Sequence, residues 1–173
     1  MFCKRCGQRL EATALLCAAC GAPTYIYAGF WKRLFAWLLD SFIINAGFIL
    51  LAAVVAAVWG FVDPDLFQTE EMAQAAIEGA EPLIALIEIL MYWVYYAKFE
   101  SSAKRGTPGK LALGVMVTDL EGRRVSFGRA TGRHFAKFVS GVLLGAGFLM
   151  IGVTDKKQGL HDRMARCLVL NRS

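Results

Sequence analysis

Histidine is nearly absent from this chain: His134 and His161 are the only two. No Ser/His/Asp constellation is visible, and no second Cys/His cluster could complete a metal site in the C-terminal half. A histidine that orients a tight turn is a commoner use of His161-Asp162 than an acid–base pair. The Gly-x-x-x-x-Gly-Lys-Ser/Thr loop is also missing, so Thr107-Pro108-Gly109-Lys110 is no phosphate loop. Threonine before proline reads instead as the N-cap and first position of a short helix at the membrane surface. These absences point away from an enzyme. Charge is missing as well. No ionisable residue interrupts Ser41 to Val62, and no lysine or arginine occurs from Asp63 to Glu81.

What is present begins at the N-terminus. Cys3-x-x-Cys6-Gly7 and Cys17-x-x-Cys20-Gly21 form two knuckles, and four thiolates so close in sequence suit one tetrahedral structural zinc. Glycine after each pair allows the left-handed backbone of a tight turn. Disulfides would need an oxidising compartment, yet Met1 leads into the knuckle with no signal-peptide pattern before it. Four protein ligands leave no open coordination position, so the metal is expected to hold a fold rather than perform chemistry. Cys167, the fifth cysteine, sits in an apolar stretch and reads as a packing residue.

Of the 173 residues, 57% are hydrophobic, above the roughly 45–50% of soluble domains. As a helix, Ser41–Val62 would measure about 33 Å, enough for a hydrocarbon core of roughly 30 Å. A second span is expected over Pro82–Phe99, containing Glu88 and ending in the aromatic belt of Tyr92, Trp93, Tyr95 and Tyr96. Basic residues precede the first span and follow the second, whereas the 63–81 segment is acidic. The positive-inside rule then places the N-terminus inside and the 63–81 loop outside. The net charge of +5 reflects this topology and an anionic lipid surface, with no nucleic acid expected as a partner.

A third apolar run, Phe138–Val153, is glycine-rich and slightly short for a full span. Full crossing would export the basic tail of Lys156, Lys157, Arg163, Arg166 and Arg172, so a re-entrant segment is expected over a third full span. Leu113–Thr118 and Arg124–Phe127 read as a hairpin around Asp119–Gly122, with another short strand at Cys167–Leu170. The expected organisation is a zinc ribbon at 1–22, a linker at 23–29 and a membrane all-α domain at 30–173. Its helices fall near 31–62, 82–99 and 130–153. Strands at 113–118, 124–127 and 167–170 form a small cytoplasmic β element.

Arg33 followed by Asp40 resembles the RDD family of small membrane proteins, named for one arginine and two aspartates. So do the block Thr107-Pro108-Gly109-Lys110-Leu111-Ala112-Leu113-Gly114 and the segment Gln158-Gly159-Leu160-His161-Asp162-Arg163-Met164-Ala165. The resemblance carries over Arg33 and Asp40 as the first two signature residues and Asp162 as the third, with Asp155 a weaker match. Arg166-Cys167 departs from the small residue or threonine that often precedes the family's last strand. The resemblance implies a bacterial inner-membrane protein. It also implies a suggested role in transporting ligands that are not identified, with the zinc ribbon a recurrent N-terminal attachment.

Ionisable groups inside a bilayer are functional candidates unless paired. Asp40 reads either as a headgroup-depth residue or as one that reaches Arg133, Lys137 or Arg163 across the bundle. Glu88 reads either as a protonated, hydrogen-bonded side chain or as a station on a route. Two function classes follow. In one, the chain is a transporter or transporter subunit for a small solute or ion, with Arg33, Asp40, Glu88 and Asp162 as polar stations; two spans form no pore alone, so it requires a homo-oligomer or a partner membrane subunit. In the other, it is a membrane adaptor whose ribbon binds a cytoplasmic protein.

Overall fold

The computed structural model describes residues 6–9, 17–22, 26–62, 69–143 and 145–172, apart from the side chains of residues 62, 72, 73 and 76. Cys3, the expected linker's residues 23–25 and most of the expected outer loop's start, 63–68, lie outside the described residues. The described elements run α1 (Phe30–Val62), α2 (Glu70–Glu100), α3 (Pro108–Ala112), β1 (Val115–Asp119), α4 (Phe127–Val142), α5 (Ala146–Val153), α6 (Leu160–Met164) and β2 (Cys167–Asn171). They divide into two compact units: Ser41–Val94, and Met1–Asp40 with Tyr95–Ser173.

The first of these holds the membrane-like surface. Over Phe30–Phe61, α1 is long and apolar enough to cross a bilayer. Phe42, Ile49, Leu50, Val58 and Phe61 are all exposed, a pattern stable in lipid but not in water. Within this unit, Asn45 Nδ2 donates to the Ser41 carbonyl at 2.7 Å and to the Tyr92 hydroxyl at 3.0 Å. The second helix differs from its expected bounds. Residues 70–81, assigned to the outer loop, are helical, and Pro82 lies inside α2 rather than at its start. Glu70 and Glu71 in the first turn complement the helix dipole.

The other unit is organised around a two-stranded antiparallel sheet. Its register runs from Val115↔Asn171 to Asp119↔Cys167. Val115, Val117, Cys167, Val169 and Leu170 are all buried, so both faces of this small sheet are covered. Tyr27 adds an isolated bridge to Leu170.

The expected strand at Arg124–Phe127 is not formed. Asp119 Oδ1 accepts the Arg123 and Glu121 amides at 2.7 and 3.0 Å, which closes the turn. Ser126 then caps α4 by accepting the Arg129 amide at 3.2 Å, and the edge of β1 is taken by β2. The third apolar run, expected to re-enter, is sharply bent: α4 and α5 meet at 102°. Gly145, at φ +77°, begins the second limb.

Candidate functional site

Asp162, the third residue of α6, lies at the centre of a buried ionic network. Its Oδ2 accepts the Gly159 amide at 3.1 Å, which ties the start of α6 to its own carboxylate. The same oxygen receives Arg33 Nη1 at 2.5 Å, while Arg133 reaches Oδ1 through Nε and Nη2 at 2.8 Å. The far side of Arg133 grips Glu100, with Nη1 2.7 and 2.8 Å from its two oxygens. Lys110 donates to Glu100 in turn. The remaining donors of Arg33 go to backbone, Nε to the Ala28 carbonyl at 2.9 Å and Nη2 to the Lys157 carbonyl.

Three cations and two carboxylates are therefore joined in one line, Arg33–Asp162–Arg133–Glu100–Lys110, and all five side chains are buried. Burial alone would raise the Asp162 carboxyl, but Arg133 and Arg33 outweigh it and hold the group well below the usual carboxylate range. Burial draws the Lys110 ammonium below its usual value, with Glu100 opposing. Such bridges hold because each charge meets its opposite with fork geometry.

Asp40 occupies a separate site built by the Thr107-Pro108-Gly109-Lys110 block. Its Oδ1 accepts the Tyr95 hydroxyl at 2.8 Å and the Gly109 amide at 2.7 Å, and its Oδ2 accepts the Thr107 hydroxyl. Thr107 is the N-cap residue of α3, but its side chain makes no capping bond; the hydroxyl serves Asp40 instead. Glycine is required at 109 because an added Cβ would lie 2.8 Å from Asp40 Oδ1 and against the Ala36 carbonyl oxygen. Asp40 thus meets none of Arg133, Lys137 and Arg163. The spacing of Arg33 and Asp40 along α1 delivers them to two different sites.

His161 faces inward. Its Nδ1 is 3.3 Å from Ser140 Oγ and its Nε2 is 3.4 Å from Asp162 Oδ1. Burial lowers its pKa to about 3, with Asp162 opposing and Arg133 reinforcing, so the ring is neutral beside the network. The buried thiol of Cys167 is pushed up to about 11 by desolvation, in keeping with a packing role. Asp155 is exposed, and it is Asp162 that meets Arg33.

At the N-terminus, ligand atoms of Cys6, Cys17 and Cys20 lie within 4.8 Å of one another, an arrangement that could hold a metal ion. The Cys6 and Cys17 sulfurs are 3.5 Å apart, close to the roughly 3.8 Å edge of a tetrahedron with 2.3 Å metal–sulfur bonds. Gly7 and Gly21 take φ of +73° and +67°, and the Gly21 amide donates to the Cys17 carbonyl at 2.8 Å. Glu88 belongs to the Ser41–Val94 unit. It is exposed on α2 among exposed Leu86, Ile87, Ile89 and Leu90, with no partner among the described residues.

Sequence reasoning missed Glu100. The available signal was its place as the first acid after an apolar span, ten residues before Lys110. It also missed the receptor for Asp40, since nothing local in Thr107-Pro108-Gly109 names a carboxylate 67 residues away.

Comparison with known proteins bears on the family of the chain. The model of the RDD family matches residues 27–166. An uncharacterized protein of Bacillus subtilis (strain 168), YxaI, is 34% identical over 147 residues, covering 83% of this chain and 96% of its own length. YteJ of the same organism, named as an uncharacterized membrane protein, is 29% identical over 154 residues, covering 86% of this chain and 83% of its own. No solved structure matches.

Proposed function

Because this chain belongs to the RDD family and is a membrane protein, we propose that it is a subunit of an assembly that moves a small ion or solute across the bacterial inner membrane. The observation that carries this reading is Glu88. A carboxyl at membrane depth costs about 2.5–3.5 kcal/mol on insertion scales, yet this one sits exposed on an apolar helix face. A second copy or a companion membrane subunit supplies what Glu88 lacks, either a polar partner or a hydrated path. Arg33, Asp40 and Asp162 support the scaffold of that path rather than the path itself, since their hydrogen-bonding groups are taken up within the protein.

In this reading α1 and α2 both span, and the α4–α5 pair re-enters from the cytoplasmic side. The N-terminus lies inside with the basic segments, and the acidic segment lies outside, as the distribution of lysine and arginine supports. The test is flux in proteoliposomes of purified full-length protein under proton, sodium and potassium gradients. Glu88→Gln is expected to lower flux at least about tenfold, a loss of 1.4 kcal/mol in the limiting step, with insertion unchanged. Equal flux from wild type and Glu88→Gln would contradict the reading.

The cysteine cluster favours a second role. Cys6, Cys17 and Cys20, with Cys3 as the fourth ligand, hold a structural zinc in a ribbon that binds a cytoplasmic protein. Metal analysis of purified protein is expected to find about one zinc per chain, the content of a closed four-thiolate site, and little in a Cys6→Ser, Cys20→Ser variant. Full zinc in that variant would remove the ribbon. Loss of flux on deleting residues 1–22 from correctly inserted protein would make the adaptor role the primary one.

A further inference from the structure

A cavity of about 410 Å³ opens between α4 and the turn that joins α6 to β2, lined by Arg129, Gly132, Ala136, Met164, Ala165 and Arg166. Its floor is small and apolar. Gly132 and Ala136 are one turn apart on α4, and a Cβ added at Gly132 would meet nothing within 4 Å. Its rim carries two guanidiniums. The Arg166 side chain is exposed, and its guanidinium has no partner among the described residues. Arg129 has only a long approach to Asp119, 3.9 Å to Oδ2, and that carboxylate is already engaged by Arg123 and by two backbone amides.

The backbone at Arg166, like that at Arg105 and Lys157, is left-handed. Its φ is +52°, a left-handed conformation that non-glycine residues seldom hold and that clusters at functional sites. The amide is fixed there by donating to the Arg163 carbonyl at 3.1 Å. Glycine would satisfy this turn without strain, yet the position holds the residue best suited to grip a phosphate. From Gly132, the exposed apolar Val139 continues along α4 two turns on, flanked by exposed Phe135. Charge lies at one end and a greasy track leads away from it.

We propose that this cavity seats the phosphate of an anionic phospholipid between Arg129 and Arg166, with the acyl chains running along Gly132, Phe135 and Val139. The cavity volume falls within the range of small-ligand sites, and paired arginines select phosphate through bidentate hydrogen bonds. The site rests on the membrane location of the chain and not on transport, so it stands whichever role the protein plays.

The experiment is native mass spectrometry and thermal melting of full-length protein in detergent, with phosphatidylglycerol, phosphatidylcholine or inorganic phosphate added. Phosphatidylglycerol is expected to be retained over phosphatidylcholine. Arg166→Gly should lower that retention about fivefold, the effect of one surface arginine on an anionic lipid, while its melting temperature holds or rises as the strained turn is relieved. Gly132→Leu, which fills the floor, should lower retention without loss of fold. Undiminished phosphatidylglycerol binding in both variants would overturn the proposal. So would inorganic phosphate raising the melting temperature as much as the lipid does, because the site would then serve a free anion.

Discussion

An Asp162→Ala protein is expected to fail to accumulate in the membrane as folded material. The substitution leaves Arg33 and Arg133 buried and facing each other without their shared carboxylate. Breaking a buried pair by removing one partner costs about 3–5 kcal/mol, and total stability is typically only about 5–15 kcal/mol. Here one residue serves two cations and also loses its bond to the Gly159 amide, so the upper end of that range applies. Asp162→Asn retains an acceptor and the shape but loses the charge, and should fall between. Arg33→Lys should behave more like a loss than a conservative change. The guanidinium serves the Ala28 carbonyl, the Lys157 carbonyl and Asp162 from three different nitrogens, and one ammonium cannot span that fork. Abundance in the membrane fraction and the melting temperature in detergent measure all three.

Gly109→Ala is the second large effect. The added methyl would sit 2.8 Å from Asp40 Oδ1 and 2.9 Å from its Cγ, and would press on the Ala36 carbonyl oxygen, which is backbone and cannot swing away. Overpacking of this kind costs about 1–3 kcal/mol. The displaced helix start would also withdraw the Gly109 amide and the Thr107 hydroxyl from Asp40, adding about 1–3 kcal/mol for a buried charge left short of donors. A loss of melting temperature comparable to that of Asp40→Ala is expected. Gly128→Ala supplies the control: its Cβ meets nothing within 4 Å in the first turns of α4, and helix propensity there favours alanine by up to about 1 kcal/mol. A Gly109→Ala protein as stable as the Gly128→Ala control would show that Asp40 is not held by α3.

The parts of this structure that the sequence made legible are those whose cause is local. The uncharged run of Ser41–Val62 falls within α1, and the Cys-x-x-Cys-Gly spacing places Gly7 and Gly21 in the left-handed turns that glycine permits. What could not be read was set by contacts distant in the chain. Asp119 and Arg123 close a turn that looks like the centre of a hairpin, but Ser126 starts a helix, and the edge of β1 goes to a strand some fifty residues later. Hydrophobic alternation at Arg124–Phe127 cannot reveal that a distant strand competes for the same edge. The 70–81 segment read as a loop for its charge, yet glutamates, alanines and glutamine are good helix formers, and α2 extends through them. The candidate site divides in the same way. Arg33, Asp40 and Asp162 stood out as signature residues, whereas their pairing did not. Two residues on one helix, seven apart, share a face in any periodicity argument, but the chain uses that face to reach two receptors, one on α6 and one on α3.

Arg33 and Asp162 form one buried joint, and the stability of the RDD unit is expected to depend on it. A double-mutant cycle on melting temperature and urea stability in detergent tests it, with Arg33→Gln, Asp162→Asn and the double variant. The double variant is expected to lose far less than the sum of the singles, with a coupling of about 2–3 kcal/mol, the size expected for residues in one charge network. Losses that add to within about 0.5 kcal/mol, as for independent sites, would contradict it.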